Sequence, residues 1–423
     1  MPLSSTDACS VVVDLGTTTI AAALVDGATG SILASGSRLN PQRDMGLDVV
    51  SRLAVAETAD GQARLKVVVN LTLEELVLDL CRQAAVATAQ LGRIWVAGNT
   101  VMQELLCGAP TDTLRRPPFR PRETSGRTMA SSELGWQLDL PLMLFPQPGG
   151  FVGGDLVAFL HGQGLASSHP PVTGPVLFLD LGTNAEIALL HADRLLATSA
   201  AAGPAFEAGN LSCGMLAQSG AIAGMTIDAD RPQLRVIGGG APVGLCGSGA
   251  ISALAALLRA GVVAPSGQLL PADEIPSNLA NYCQGTGRET AFLLYRAAAR
   301  TIALTQEDIR QLQLAIAAVR AGIEVLTQRA GLASADGVEV VVTGAFGASL
   351  QPADLETIGL LPSGTASRCR FVADGALAGL CLVSRDPSGA AAVECLAQQL
   401  QVIPLSGTPR FEELFISHLT FPT

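Results

Sequence analysis

The sequence predicts an α/β fold made of two related domains, and three observations carry that expectation. A β-branched run, Val11-Val12-Val13, ends in Asp14-Leu15-Gly16-Thr17-Thr18. A second apolar run over 176–179 ends in Asp180-Leu181-Gly182-Thr183-Asn184. The two aspartates stand at 14 and 180, 166 positions apart. Between and beyond them, strand-like runs alternate with helix-like ones, the pattern of a layered α/β architecture.

Each copy has the form of a buried strand running into a tight turn. Gly16 and Gly182 carry no Cβ, so backbone N–H groups there can approach a phosphate closely, and Thr17, Thr18 and Thr183 add hydroxyl donors. Asp14 and Asp180 stand at the strand ends, where a hard cation such as Mg²⁺ is held through water. A single Asp-Leu-Gly-Thr also describes an ordinary strand exit. Two in one chain point to paired domains facing one ligand.

After the first turn, 20–24 continues as a strand and 31–33 begins a third, the two separated by the turn-forming stretch 26–30. Residues 71–91, with Leu71, Leu73, Leu76, Leu78 and Leu80 among good helix formers, predict a helix. A short strand over 94–96 exits at Gly98-Asn99-Thr100, where Asn99 or Thr100 suits the cap of the helix that follows. Residues 109–127 and 146–150, rich in Pro, Arg and Gly, are expected loops. Gly153-Gly154 then introduces Asp155 at the start of an apolar helix, where an acid also favours the helix dipole. The stretch 167–171 marks the domain boundary.

In the second half, Gly203-Pro204-Ala205-Phe206-Glu207 belongs to a small-residue segment, and Cys246-Gly247-Ser248-Gly249 opens a helix over 251–258. Backbone N–H groups at such a start suit an anion, and a tight turn needs the same glycines. Thr305 and Asp308 form a capping-box pattern. Ile309, Leu312, Ile316, Val319, Ile323 and Leu326 then repeat at spacings of three and four, an apolar stripe expected to pack on the strand over 339–343. That strand breaks into Gly344-Ala345-Phe346-Gly347. Residues 374–380 predict a small-residue helix able to pack closely.

Composition narrows the classes. A length of 423 residues allows two to three domains. A net charge of −11 with one lysine, Lys66, excludes a basic nucleic-acid surface and a Gly-Lys phosphate loop. No apolar run is long enough for a membrane span. The first residues lack the basic and apolar regions of a secretory signal, so a cytoplasmic location is expected. The nine cysteines contain no Cys-x₂-Cys pair or ferredoxin-type run, so no iron–sulfur cluster is expected in this chain. The arginines over 115–127 are expected to be a solvated loop.

The paired turns and the later Gly344–347 turn resemble the superfamily of acetate and sugar kinases, heat-shock chaperones and actin. The resemblance implies two ribonuclease-H-like, actin-like ATPase domains with a nucleotide cleft between them. They are expected over 1–172 and 173–423, the C-terminal segment packing back on the first. A narrower set of segments resembles the ATPase region of reductive activators of corrinoid proteins. It comprises Asp14 to Thr19; Asn40-Pro41-Gln42 through Gly46, Asp48 and Arg52; Gly98 to Met102; Pro118 to Pro121; Gly153-Gly154-Asp155; Asp180 to Glu186; Gly203 to Glu207; Cys246 to Gly249; Asp308 to Gln313; and Thr343 to Gly347. It covers about residues 10–400.

The resemblance implies ATP and Mg²⁺ as cofactors. Asp14 and Asp180 are the expected metal residues, and Gly16, Thr17, Thr18, Gly182, Thr183 and Asn184 the phosphate residues. Gly344, Ala345, Phe346 and Gly347 are expected to line the adenosine pocket, with Asp155, Glu186 and Asp180 as catalytic residues. It further implies a corrinoid protein as partner and a homodimer; members of that family carry a ferredoxin domain as electron donor, and because this sequence has no cluster motif a separate ferredoxin-like donor is expected. Two other functions stay open on the sequence: a protein-binding module gated by ATP without redox chemistry, and a small-molecule kinase.

Overall fold

The computed structural model describes residues 8–166, 174–298, 300–333, 337–344 and 350–422. The chain forms two compact units. The first comprises residues 1–173 together with 194–197 and 374–403.

In the first unit, β1 (Cys9–Leu15) forms an antiparallel hairpin with β2 (Thr19–Val25), and β3 (Ile32–Leu39) follows at the sheet edge. Next come α1 (Val49–Val55), α2 (Ala59–Ala84), β4 (Leu91–Gly98) and α3 (Thr100–Cys107). They lead to β5 (Arg127–Ala130), β6 (Pro141–Leu144) and α4 (Gly154–Gly162). The sheet order is β3-β2-β1-β4-β6-β5. Nearly all of β1 is buried, as a central strand covered on both faces demands.

The helix expected over 71–91 starts earlier and ends sooner. Thr58 caps it by accepting from the Gly61 N–H, and Leu65 and Val69 extend the same buried stripe as Leu73, Leu76 and Leu80. It stops at Ala85, whose φ of 53° is left-handed.

In the second unit, β7 (Val176–Leu181) forms a hairpin with β8 (Ala185–His191); β9 (Arg194–Ala200) follows, its residues 194–197 grouped with the first unit and 198–200 with the second. A small sheet holds β10 (Ala221–Asp228), β11 (Arg231–Val236) and β12 (Gly244–Leu245), against which α5 (Gly247–Arg259) packs. Another holds β13 (Cys283–Gln284), β14 (Ala291–Ala297) and β15 (Arg300–Thr305). The order continues with α6 (Gln306–Ala330), β16 (Glu339–Gly344), α7 (Pro352–Thr357) and β17 (Cys369–Phe371).

The neighbours of β7 repeat those of β1. Each is flanked by its hairpin partner on one side and by a parallel strand on the other: β2 and β4 around β1, β8 and β16 around β7. Thr305 and Asp308 form the expected capping box of α6. Its stripe packs on β8, where Gly322 lets the Ile187 side chain approach, rather than chiefly on the strand that follows it.

The remaining elements are α8 (Gly375–Arg385), α9 (Gly389–Gln399), β18 (Leu400–Val402) and α10 (Pro409–Ser417). Helix α8 lies in the first unit and crosses α4 tightly. A Cβ on Gly379 would stand 1.8 Å from the Ala158 carbonyl oxygen, and one on Gly162 3.2 Å from Gly379. Gly379→Ala is therefore expected to cost about 1–3 kcal/mol by forcing the helices apart. Thermal melting checks this, with Gly174→Ala, which meets nothing within 4 Å, melting with the parent. Equal melting of both would show that the crossing tolerates the methyl group.

Candidate functional site

The first candidate loop is held from behind. Asn40 Nδ2 donates to the Gly16 carbonyl at 2.9 Å, Arg52 Nη2 to the Thr17 carbonyl at 2.6 Å, and the Asn40 N–H to the Thr18 carbonyl at 2.9 Å. Across a trans peptide the N–H points opposite to the carbonyl, so this grip turns the amides of Thr17, Thr18 and Thr19 toward the other side of the loop. Gly16 has no alternative at its position, because a Cβ would lie 2.4 Å from the Thr19 carbonyl oxygen.

Arg52 is wholly buried. Its Nε donates to the Gly46 carbonyl at 2.9 Å and its Nη1 to Gln42 Oε1 at 3.3 Å, beside Met102 Sδ at 3.0 Å. The matched segment from Asn40 to Arg52 is thus the mount of the loop, a role that sequence reading did not assign to it. Asp14, half-buried, stands at the end of β1 opposite Ala21 and Ala97.

The β4 exit and the α4 start meet at the same edge of that sheet. Asn99 caps α3 through the Val101 N–H at 3.0 Å and donates to the Phe151 carbonyl at 3.2 Å. Thr100 donates to the Gly149 carbonyl at 2.7 Å. Gly153 seats on this turn, since a Cβ there would lie 2.4 Å from the Gly98 carbonyl oxygen. That contact aims the first turn of α4, and with it Asp155. Asp155 accepts from the Leu156 N–H at 2.9 Å, yet burial outweighs this and raises its pKa to about 6.

In the second unit, Asp180 pairs in register with Glu186 of β8 and Thr343 of β16. Directly opposed residues share a sheet face, so the two carboxylates and the hydroxyl form one polar row. Glu186 and Thr343 are buried and Asp180 half-buried. Sequence reading found both acids without seeing that they are cross-strand neighbours.

The Gly182 N–H closes the turn onto the Asn184 carbonyl at 3.1 Å, and Thr183 Oγ1 donates to Glu207. Gly344, at φ 108°, comes so close that a Cβ would lie 2.3 Å from the Leu181 carbonyl oxygen and 2.8 Å from Asp180 Oδ1. Ala345, Phe346 and Gly347 lie outside the described residues.

Other matched residues turn out to be struts. Asp308 accepts from the Ser212 N–H and hydroxyl, both at 2.7 Å, tying the 203–214 loop to α6. At the α5 start, Gly249 is packed against β10, its Cβ position 2.0 Å from the Ile222 carbonyl oxygen, so close packing accounts for that glycine.

The donor set suits an anion beside a hydrated cation. Asn184 Nδ2 is buried with no hydrogen-bond partner among the described residues, a donor that needs an acceptor. A Cβ on Gly182 would meet only ordinary contacts, the Asn184 carbonyl oxygen at 3.6 Å and Glu207 Oε1 at 3.8 Å. Among the described residues no three His, Cys, Asp or Glu side chains converge, so a divalent ion at Asp14 or Asp180 would keep much of its water, as Mg²⁺ does. No described helix is long and apolar enough to cross a membrane.

Comparison with known proteins adds to this geometry. Residues 174–423 match the family model described as the C-terminal domain of RACo, the ASKHA domain, and residues 9–168 match the RACo middle region. The chain is 31% identical over 423 residues to the corrinoid activation enzyme RamQ of Eubacterium limosum, a match covering 96% of this chain and 69% of that protein. It is 30% identical over 215 residues to the [Co(II) methylated amine-specific corrinoid protein] reductase of Methanosarcina barkeri, covering 44% of this chain and 35% of that one. A solved structure of a reductive activator for corrinoid, iron–sulfur protein superposes with a TM-score of 0.88 at 30% identity, covering 99% of this chain and 67% of the other.

Proposed function

This chain belongs to the RACo family, whose C-terminal part is an actin-like ATPase domain, and on that premise we propose that it is an ATP-hydrolysing activator of a corrinoid protein. Nucleotide binding goes with the fold. The observation that carries the nucleotide assignment is the recurrence of one device, Asp14 to Thr18 and Asp180 to Asn184, on strands with the same neighbours in both units.

In this reading the actin-like domains span 1–172 and 173–423, with the C-terminal segment returning to the first. The amides of the Gly16–Thr18 loop, the Thr17 and Thr18 hydroxyls, Gly182, Thr183 and the Asn184 amide bind the phosphates of ATP. The turn from Gly344 through Gly347 lines the adenosine. Asp14 and Asp180 hold a hydrated Mg²⁺, which when bound neutralises charge on the phosphates. Asp155, with its raised pKa, and Glu186 orient the attacking water.

The work of hydrolysis is then coupled to reducing the corrinoid partner. One electron from a reduced ferredoxin-like protein converts Co(II) to Co(I), leaving the donor's cluster oxidised by one electron. The chain is a cytoplasmic homodimer in this reading.

Asp180→Asn tests it. ATP turnover is expected to fall about 100-fold or more, with the melting temperature nearly unchanged, because the amide keeps the shape and one acceptor of the carboxylate. An unchanged turnover number removes Asp180 from the site.

A further inference from the structure

The loop over 115–127 holds five arginines and one acidic residue, Glu123, in a chain whose net charge is −11. Three of the arginines are neutralised. Arg115 pairs with Glu57 at 2.9 Å, Arg122 with Asp112 at 2.8 Å and Arg127 with the buried Glu104 at 2.8 Å. Arg116 and Arg120 are exposed and form no ion pair among the described residues. They flank Phe119.

The loop is anchored rather than a solvated excursion. Leu114 and Pro121 are buried, and the Phe119 carbonyl oxygen would stand 1.5 Å from a Cβ on Gly150. The Phe119 and Phe151 rings lie 5.7 Å apart, and the Gly126 N–H donates to Glu394 at 2.9 Å. Two arginines without an ion pair among the described residues are therefore presented from an anchored backbone on a chain of net charge −11.

An acidic partner is repelled by most of this surface and received at such a patch. Electron-transfer encounters are small, weak and steered by charge, which matches two guanidinium groups on one anchored loop better than an extended interface would. We propose that the Arg116 and Arg120 loop docks an acidic, ferredoxin-type iron–sulfur protein. The choice of this occupant rests on the function proposed above; the unpaired positive charge of the loop does not.

The test compares the full wild-type chain with the R116E/R120E variant, using an acidic plant-type [2Fe–2S] ferredoxin as the probe. Calorimetry at about 20 mM and about 150 mM salt is expected to show wild-type binding that weakens with salt. The variant is expected to bind about tenfold more weakly or worse and with little salt dependence, while ATP turnover and melting stay unchanged. In Co(II) corrinoid reduction, the variant should need more ferredoxin but match wild type when Ti(III) citrate, which needs no docking site, supplies the electron.

Equal ferredoxin affinity in the two proteins overturns the proposal, as does no binding by wild type at low salt. Loss of affinity for the corrinoid protein with ferredoxin binding intact also overturns it and assigns the loop to that partner. Failure of the corrinoid function is seen separately, as no reduction by wild type with ATP and Ti(III) citrate, while the ferredoxin binding comparison still decides the docking surface.

Discussion

Asp155→Asn is expected to melt above the parent near pH 7.5 and together with it near pH 4, while its ATP turnover falls by about 100- to 10,000-fold. The stability half follows from linkage. Burial raises the folded pKa from the ordinary 3.8 to about 6, so the folded state holds this proton more tightly than the unfolded chain. Stability from this group is complete below about pH 4 and is lost as pH rises through about 6. Above that, an ionised Asp155 is a cost to the fold.

The full shift corresponds to about 3 kcal/mol, and the partial exposure of the side chain screens it, so about 1–2 kcal/mol is the expected gain for the amide. The amide keeps the acceptor that meets the Leu156 N–H, so little else changes. The catalytic half follows from the same pKa: the parent should show an acid limb near pH 6 in kcat/KM that the variant lacks. No stabilisation near pH 7.5 would mean a well-solvated carboxylate. Unchanged turnover would mean that Asp155 only tops its helix. A protein that keeps a destabilising charge at one helix start is showing where function outweighs stability.

What the sequence disclosed here was local. A buried strand, an acid, a glycine and hydroxyls are adjacent along the chain, so both turns were legible, as were the capping box at Thr305 and the apolar stripe of α6. What it hid was long-range. Glu186 follows Asp180 by six positions, and only the hairpin register makes them face neighbours. Asn40 and Arg52 reach back 24 and 35 residues to the first loop, and no spacing rule connects an arginine in a short helix with a carbonyl in a turn. The ion pairs of Arg115 with Glu57 and of Arg127 with Glu104 are likewise invisible, because those partners lie on other segments, and no spacing rule in a loop joins Arg122 to Asp112. The α2 start at Ala59 was missed because Gly61 and the polar residues near it mask the cap at Thr58.

Arg52→Met should be the most damaging single change in the first unit, expected to cost about 3–5 kcal/mol of stability and to weaken ATP binding about 10- to 100-fold. Methionine nearly fills the volume, so the loss is one of donors. Nε, Nη1 and Nη2 reach Gly46, Gln42 and Thr17, so one guanidinium ties the 42–46 stretch to the loop in a site with no solvent to replace its bonds. Lysine has one nitrogen and meets at most part of that set, so Arg52→Lys should recover little. Melting curves and calorimetry with Mg-ATP separate the two effects. If stability falls and affinity holds, Arg52 is only a core strut. If affinity falls well beyond what the unfolded fraction explains, the guanidinium pre-organises the loop, because a loop that must be ordered on binding returns part of its contact energy as entropy. Asp180→Asn makes the complementary change, removing a group proposed to act at the ligand while leaving the frame, so the two variants together divide what the site holds from what holds the site.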